Sequence, residues 1–239
     1  MSEYFEFFFL ESVESTNDEI KNLSQNKKTS IALFSEEQTN GKGRSNNKWL
    51  SQKGDLTCSF FVSENFNLND LGKINIMISV CILDALKETF KNLEVKVKWP
   101  NDLYIGEKKL GGILLETKVS KGNIINLIIG VGINLISSPN ITKYKTTKIT
   151  NYVSEINSKK LFLHLSKYIE NYFTNFNKID FKYYKKKWIN YSKDIGKKVK
   201  IRKNEKIFNG RFKYINDSGE LFLETEKKNI LKFSFGEIV

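Results

Sequence analysis

The segment from Asn123 to Leu135, "NIINLIIGVGINL", places the strongest restriction on the fold of this chain. It is almost continuously apolar and rich in β-branched residues, which is typical of a strand buried at the centre of a sheet. Two glycines, Gly130 and Gly132, interrupt it. Glycine inside a strand costs stability, so it often marks a bulge, tight packing or the close approach of a ligand or another backbone.

A second glycine pair occurs in a neighbouring strand pattern. In "KKLGGILLE" the residues Gly111 and Gly112 follow Lys109 after a gap of one residue. A bulge or tight packing explains either pair alone. Both pairs in one predicted sheet, beside two unusual polar loops, favour a ligand site instead.

Strands and helices are mixed along the rest of the chain. Aromatic or alternating segments predict several strands, and a hairpin that turns at Gly106. Apolar residues at helical spacing predict a long core helix from Leu68 to Lys91 and further helices over about 159–191. A helix is also expected after Ser15 or Thr16, either of which can act as the N-cap.

This order predicts an α+β fold, with a mixed β-sheet flanked by helices, because strict βαβ alternation is absent. Near Ile195 the pattern changes to short alternating strands separated by turn signals, which is typical of a small β-barrel. We therefore expect two domains, one over residues 1–192 and a small C-terminal β-barrel over 193–239.

Composition restricts the chemistry and the location. The single histidine, His164, lies in a helical pattern, which argues against histidine-dependent nucleophilic catalysis and histidine-rich metal sites. Cys58 and Cys81 lie in apolar surroundings and are expected to be reduced, buried thiols. There is no apolar run of about 20 residues and no signal-peptide pattern, so we expect a cytoplasmic protein with no membrane segment.

The net charge of +12 raises the alternative of a non-enzymatic nucleic-acid binder. Only three of the 39 basic residues are arginine, however, whereas a protein that reads nucleic acid normally uses more of its planar, bidentate side chain. The charge is therefore weak evidence for such a partner. The rarity of arginine makes Arg44 more informative.

Two polar segments are candidates for ligand contacts. In "QTNGKGRSNNKW", Gly41 and Gly43 let the backbone approach a ligand, while Lys42 and Arg44 can pair with carboxylate or phosphate oxygens. The segment is not a Walker P-loop, and taken alone it is compatible with a solvated loop or an anion-binding one. In "KWPND", residues 98–102, Asn101 and Asp102 sit where a strand end meets a loop.

Taken in order, "ESTN", "SEEQTNGKGRSNNKW", "KWPNDLY", "KKLGGILLE" and "IGVGINL" resemble the motif series of the biotin–protein ligases. The resemblance runs from about residue 11 through the terminal barrel. It implies a class II synthetase-like catalytic domain followed by an SH3-like barrel. It also implies an ATP- and Mg²⁺-dependent reaction that forms biotinyl-5'-AMP and transfers biotin to a lysine of a biotin carboxyl carrier protein.

The resemblance also implies residue roles. Lys109 and Arg44 are expected to be catalytic, Asp102 to assist Mg²⁺, and Trp99 to lie on the nucleotide side. The expected biotin-binding residues are Ser15, Thr16, Asn17, Gln38, Lys42, Gly43, Arg44, Lys109 and Gly112. The expected nucleotide-binding residues are Trp49, Asn101, Asp102 and Asn134.

The chain departs from the family pattern at the glycine loop. Lys42 stands where the family usually has arginine, and "SNN" (Ser45 to Asn47) replaces a basic, glycine-containing stretch. Lysine keeps the charge but loses bidentate geometry, and Lys48 is a candidate to meet pyrophosphate instead. The segment "KGDLTC" is also one residue shorter than usual.

We expect residues 40–48 to be mobile without ligand and to fold over biotinyl-AMP, because ordering a polar loop costs about 1 kcal/mol per residue.

Several alternatives stay open. A lipoate–protein ligase is the related acyl-adenylating alternative, although the "KWPND" and glycine-loop motifs favour biotin. The family pattern begins close to Met1, so we expect a monofunctional ligase without a DNA-binding domain and without specific DNA binding. An exposed edge of the sheet leaves room for a homodimer, and the sequence does not identify the carrier.

Overall fold

The computed structural model describes residues 4–25, 27–140 and 144–239. Four α-helices are present in these ranges, namely α1 (Thr16–Leu23), α2 (Leu71–Thr89), α3 (Ser158–Thr174) and α4 (Phe181–Tyr191). The strands in the first part of the chain are β1 (Phe5–Val13), β2 (Ser30–Gln38), β3 (Gly41–Lys42), β4 (Lys48–Trp49), β5 (Leu56–Val62), β6 (Phe66–Asn67), β7 (Lys96–Lys98), β8 (Asp102–Ile105), β9 (Lys108–Ser120) and β10 (Asn123–Ile133). Those near the C-terminus are β11 (Lys198–Lys203), β12 (Lys206–Ile215), β13 (Leu221–Glu224), β14 (Ile230–Phe233) and β15 (Glu237–Ile238).

The large sheet has the order β1-β2-β5-β10-β9-β8-β7, and β6 adds to β10. β1 and β2 are parallel, whereas the other neighbours are antiparallel, so the sheet is mixed. The glycine-containing apolar strand β10 lies in the middle of this order. The last five strands form a separate antiparallel sheet in the order β14-β13-β12-β11-β15. The predicted α+β fold with a small C-terminal β domain is therefore confirmed.

The two faces of the large sheet are covered differently. One face packs against α2 and α3, and α2 is apolar on nearly every side because it lies between the sheet and the outer helices. The other face has a small apolar cluster under α1, formed by Ile20, Ile31, Leu33, Phe61 and Ile128. The part of this second face that lies beyond α1 carries the candidate site.

Local structure follows the sequence in most places. Ser15 caps α1, with its side chain accepting a hydrogen bond from the backbone of Asp18, and the β8–β9 hairpin turns at Gly106 and Glu107. The glycine loop is not irregular, because β3 and β4 pair as a two-stranded hairpin. None of the helices in the described ranges is both long and apolar enough to cross a membrane.

One buried carboxylate holds the segment that leaves β10. Asp55 is 1% exposed, and its Oδ1 accepts hydrogen bonds from the backbone N–H groups of Leu135, Ile136 and Ser137 at 2.8, 2.9 and 3.0 Å. Its Oδ2 accepts from the backbone of Gln52 at 3.0 Å. Three successive donors on one oxygen fix the direction in which the chain turns away from the sheet.

We expect Asp55→Ala to lower the free energy of unfolding by about 3 kcal/mol, because it leaves buried backbone N–H groups without an acceptor. Urea denaturation followed by circular dichroism measures this change. Asp217→Ala is the control, since Asp217 forms an exposed ion pair with Lys185 and its loss is expected to cost less than about 1 kcal/mol. Equal effects of the two substitutions would contradict this role of Asp55.

Candidate active site

A cavity of about 410 Å³ opens on the second face of the large sheet, and its volume suits a small-molecule ligand. Its walls come from α1, the β3–β4 hairpin, the 99–102 turn, the sheet and the C-terminal β domain. It brings together most residues that the sequence singles out. These are Ser15, Thr16, Asn17, Gln38, Lys42, Gly43, Arg44, Trp49, Trp99, Asn101, Asp102, Lys109 and Gly112.

A buried polar network forms one end of the cavity. The backbone N–H and the hydroxyl of Thr16 both donate to Gln38 Oε1, at 2.8 and 3.0 Å. The buried hydroxyl of Ser59 lies 2.8 Å from Thr16 Oγ1 and donates to Asn17 Oδ1 at 2.6 Å. Asn17 Nδ2 donates to Glu116 Oε2 at 2.6 Å. These bonds fix the orientation of two amides and leave donors and acceptors for a polar ligand.

The glycines of β10 allow this arrangement. A Cβ atom on Gly130 would lie 2.3 Å from Asn17 Oδ1, and one on Gly132 would lie 2.4 Å from Cε2 of Trp49. Side chains of the candidate site therefore approach the strand at both positions. This close approach answers the question that the sequence left open for these two glycines. Gly112 is different, since a Cβ there would find ordinary contacts with Asp102 and Lys109.

The basic hairpin is attached to the body of the protein by its two predicted cations. Lys42 Nζ lies 2.5 Å from Asp18 Oδ2 on α1. Arg44 Nη1 donates to Asn101 Oδ1 at 3.0 Å and to the carbonyl of Gly236 at 3.3 Å. Burial lowers the pKa of Arg44, while the nearby carboxylates oppose that shift, so the guanidinium stays charged. Arg44 thus joins the hairpin, the large sheet and the C-terminal domain.

Lys109 and Asp102 form a largely buried ion pair at the centre of the lining. Lys109 Nζ lies 2.7 Å from Asp102 Oδ1, with side chains 12% and 18% exposed. The ring of Tyr144 lies 5.0 Å from the same ammonium group. The backbone of Lys109 exchanges hydrogen bonds with Lys145 and Thr147, both at 2.9 Å. An anionic ligand can therefore replace Asp102 as the partner of a well-positioned cation.

Of the remaining predicted residues, two tryptophans line the cavity and one asparagine lies outside its lining. Trp49 packs over Gly132, and its buried Nε1 has no hydrogen-bond partner in the described structure. Trp99 is buried and donates through Nε1 to the carbonyl of Gly219 at 3.2 Å, so it also ties the cavity to the C-terminal domain. Asn134 lies outside the cavity lining, and its side chain donates to the carbonyl of Thr147 at 3.0 Å. Its nucleotide-binding role stays a prediction.

Two residues that support the cavity from behind, and several that line it, were not predicted from the sequence. Ser59 lies in an apolar strand and Glu116 next to the exposed end of another, and neither position differs from ordinary strand residues. The C-terminal domain was expected, but its contribution to the cavity was not. It supplies Arg202, Asn204, Phe235, Gly236, Glu237 and Ile238.

Comparison with known proteins places these features in a family. Residues 9–134, more than half of the chain, match the biotin/lipoate A/B protein ligase family, and residues 194–239 match the biotin protein ligase C-terminal domain. The bifunctional ligase/repressor BirA of Bacillus subtilis is 27% identical over 224 residues, covering 91% of this chain and 68% of the relative. Escherichia coli BirA is 33% identical over 126 residues, covering 52% of this chain and 38% of the relative.

Solved structures agree with this match. A biotin protein ligase from Aquifex aeolicus, determined in complex with biotin and ATP, superposes with a TM-score of 0.82 and 29% identity. The alignment covers 98% of this chain and 97% of the Aquifex chain. On the sequence match and the shared architecture of both domains, this chain belongs to the biotin/lipoate A/B protein ligase family.

Proposed function

We propose that this enzyme, a biotin–protein ligase, activates biotin as biotinyl-5'-AMP and then transfers it to a lysine of a biotin carboxyl carrier protein. The observation that carries this proposal is that five sequence motifs, far apart in the chain, contribute residues to one cavity. We also propose that residues 1–192 form the catalytic domain and 193–239 a small C-terminal domain. The family membership and the Aquifex ligase with bound biotin and ATP support the choice of substrates.

The first step joins two anions. A carboxylate oxygen of biotin attacks the α-phosphorus of ATP, the bond to the β-phosphate breaks, and pyrophosphate leaves. Fixed cations that offset this repulsion accelerate such a reaction. The cavity lining contains Lys42, Arg44, Lys48, Lys109 and Arg202. Two lysines of this lining form ion pairs, and the side chain of Lys109 is less exposed than that of Lys42, at 12% against 47%. Lys109 is therefore better placed to hold the carboxylate.

The second step consumes the adenylate. The carrier lysine, as a neutral amine, attacks the acyl carbon, the carbon–oxygen bond to AMP breaks, and the amide loses a proton. The cavity residues contribute by holding the acyl-adenylate in position and by stabilising the departing phosphate with the same cations.

The biotin end is assigned to the polar network beside α1. Hydroxyl groups of Ser15 and Thr16, with the amides of Asn17 and Gln38, offer both donors and acceptors to the ureido group of biotin. Ser59 and Glu116 fix these groups from behind. Lys42, Gly43 and Gly112 border the same space.

The nucleotide is assigned to the opposite end, beside Trp49, Asn101 and Asp102. The described residues contain no cluster of three or more acidic, cysteine or histidine side chains that could hold a metal ion alone. Asp102 suits Mg²⁺ that arrives with ATP, because this ion is usually held by one or two carboxylates together with substrate phosphates. Bound there, Mg²⁺ would neutralise phosphate charge.

Lys42, which stands where the family usually has arginine, is not the only lysine of the hairpin that lines the cavity. Lys42 is paired with Asp18, whereas Lys48 lines the cavity without an ion pair among the described residues. Lys48 is therefore our candidate for contact with pyrophosphate. The ordering of residues 40–48 on ligand binding stays a prediction.

Biotin-dependent exchange of labelled pyrophosphate into ATP tests the first half-reaction. We expect exchange with biotin and Mg²⁺ and none with lipoate, because the biotin protein ligase C-terminal domain matches residues 194–239. Exchange supported by lipoate alone would establish the lipoate–protein ligase alternative. No exchange with either acid by the folded protein would refute the adenylation proposal.

Lys109→Ala is expected to reduce this exchange by roughly 100-fold or more, as expected for loss of a group that stabilises developing charge. Lys108→Ala, which removes the exposed neighbouring lysine, is the matched control and should leave the rate within about twofold of wild type. Circular dichroism checks that both variants fold. A loss of less than threefold for Lys109→Ala would remove this residue from the mechanism.

A further inference from the structure

A second cavity, of about 820 Å³, lies at the junction between the large sheet and the C-terminal β domain. We call it the junction cleft. It shares Ile238 with the active-site cavity. Its Lys98 on β7 also lies directly opposite Asp102 of the active site in the strand register of β7 and β8. The two cavities are therefore neighbours. Ten charged residues line the junction cleft, four of them acidic and six basic.

Most acidic groups of this cleft are already engaged. Glu107 lies 2.6 Å from Lys193 Nζ, Asp194 lies 3.7 Å from the same atom, and Glu224 pairs with Lys213. Most basic groups are not engaged. Lys98, Lys198, Lys200 and Lys228 form no ion pair within the described part of the chain. The cleft thus offers an excess of available positive charge.

One basic residue of the cleft is partly shielded from water. Lys98 is half-buried, and this burial lowers its pKa, so an added carboxylate nearby would stabilise its charge.

We propose that the junction cleft receives the acidic face of the acceptor protein while that protein's lysine enters the active-site cavity. This inference rests on the proposed ligase function. Stable contacts between proteins bury about 800 Å² on each side. A folded acceptor must therefore contact surfaces beyond the cavity mouth. The junction cleft is the adjoining concavity, and its unpaired cations would speed encounter and select an acidic surface.

The cleft fits a protein surface better than a small anion. Lys198 and Lys200 are both exposed and two residues apart on β11, so they point to the same side of that strand. Positions two residues apart on a strand are separated by about 6.6 Å, so the two charges are spread along a wall. The walls also carry exposed Glu226 and Asn209, which suit an acceptor surface of mixed polarity.

The double variant Lys198→Glu/Lys200→Glu tests the proposal with a recombinant apo biotin carboxyl carrier domain as acceptor. We expect KM for the carrier to rise by about fivefold or more, with kcat and biotin-dependent pyrophosphate exchange unchanged. The increase should shrink as salt is raised, because these charges are solvent-exposed. Lys198→Gln/Lys200→Gln should give a smaller increase in the same direction.

The matched control is Lys160→Glu/Lys167→Glu, which makes the same charge change at exposed lysines of α3 outside both cavities. Equal KM values in the two reversed variants, with normal exchange, would overturn the docking proposal and leave the ligase function intact. Loss of binding to a DNA duplex by the cleft variant, with carrier KM unchanged, would assign the cleft to nucleic acid instead. Absence of exchange in the wild-type protein would overturn the ligase proposal itself.

Discussion

The candidate site depends on the absence of bulky side chains from part of one face of the large sheet. Gly130 of β10 lies opposite Ser59 of β5, and Gly132 lies opposite both Thr57 of β5 and Gly112 of β9. These small residues form a floor in the middle of a sheet that is otherwise packed. Under α1 the same face is filled with Ile, Leu and Phe. Larger residues in place of Gly130 and Gly132 would displace Asn17 and Trp49 before any ligand arrived.

The three principal cations around that floor each have a partner within the protein. Lys42 pairs with Asp18, Lys109 with Asp102, and Arg44 with two neutral oxygens. Because a buried charge without a partner is costly, Asp102 compensates the charge of Lys109 when no anionic ligand is bound. Anionic substrates can then replace these internal partners, which makes substrate binding an exchange of partners for charges that are already in position.

The sequence predicts the fold well because its patterns are local. The apolar run of β10, the helical spacing of α2 and the turn at Gly106 each depend on neighbouring residues alone. Most of the candidate site could also be predicted, since its residues lie in short motifs with unusual glycine and proline content. The expected roles of Lys109, Arg44 and Asp102 rest on resemblance to a family and not on periodicity.

What could not be predicted depends on contacts between distant segments. The position of Ser59 under Asn17 joins residues 42 apart, and the bond from Arg44 to Gly236 joins residues 192 apart. No local pattern distinguishes Ser59 from other strand serines, or the segment at Gly236 from other connections of the C-terminal β domain. No alternating pattern identifies the strands β3 and β4 of the glycine loop, because they contain only two residues each.

The most direct test of the central claim follows the oxygen atoms of biotin. The carboxylate of biotin is labelled with oxygen-18, the protein is supplied with ATP, Mg²⁺ and an apo carrier domain, and the products are analysed by mass spectrometry. Attack of the carboxylate on the α-phosphorus predicts one labelled oxygen in AMP for each biotinylated carrier, and none in pyrophosphate. Unlabelled AMP, or label in pyrophosphate, would contradict activation of biotin as an acyl-adenylate in this cavity.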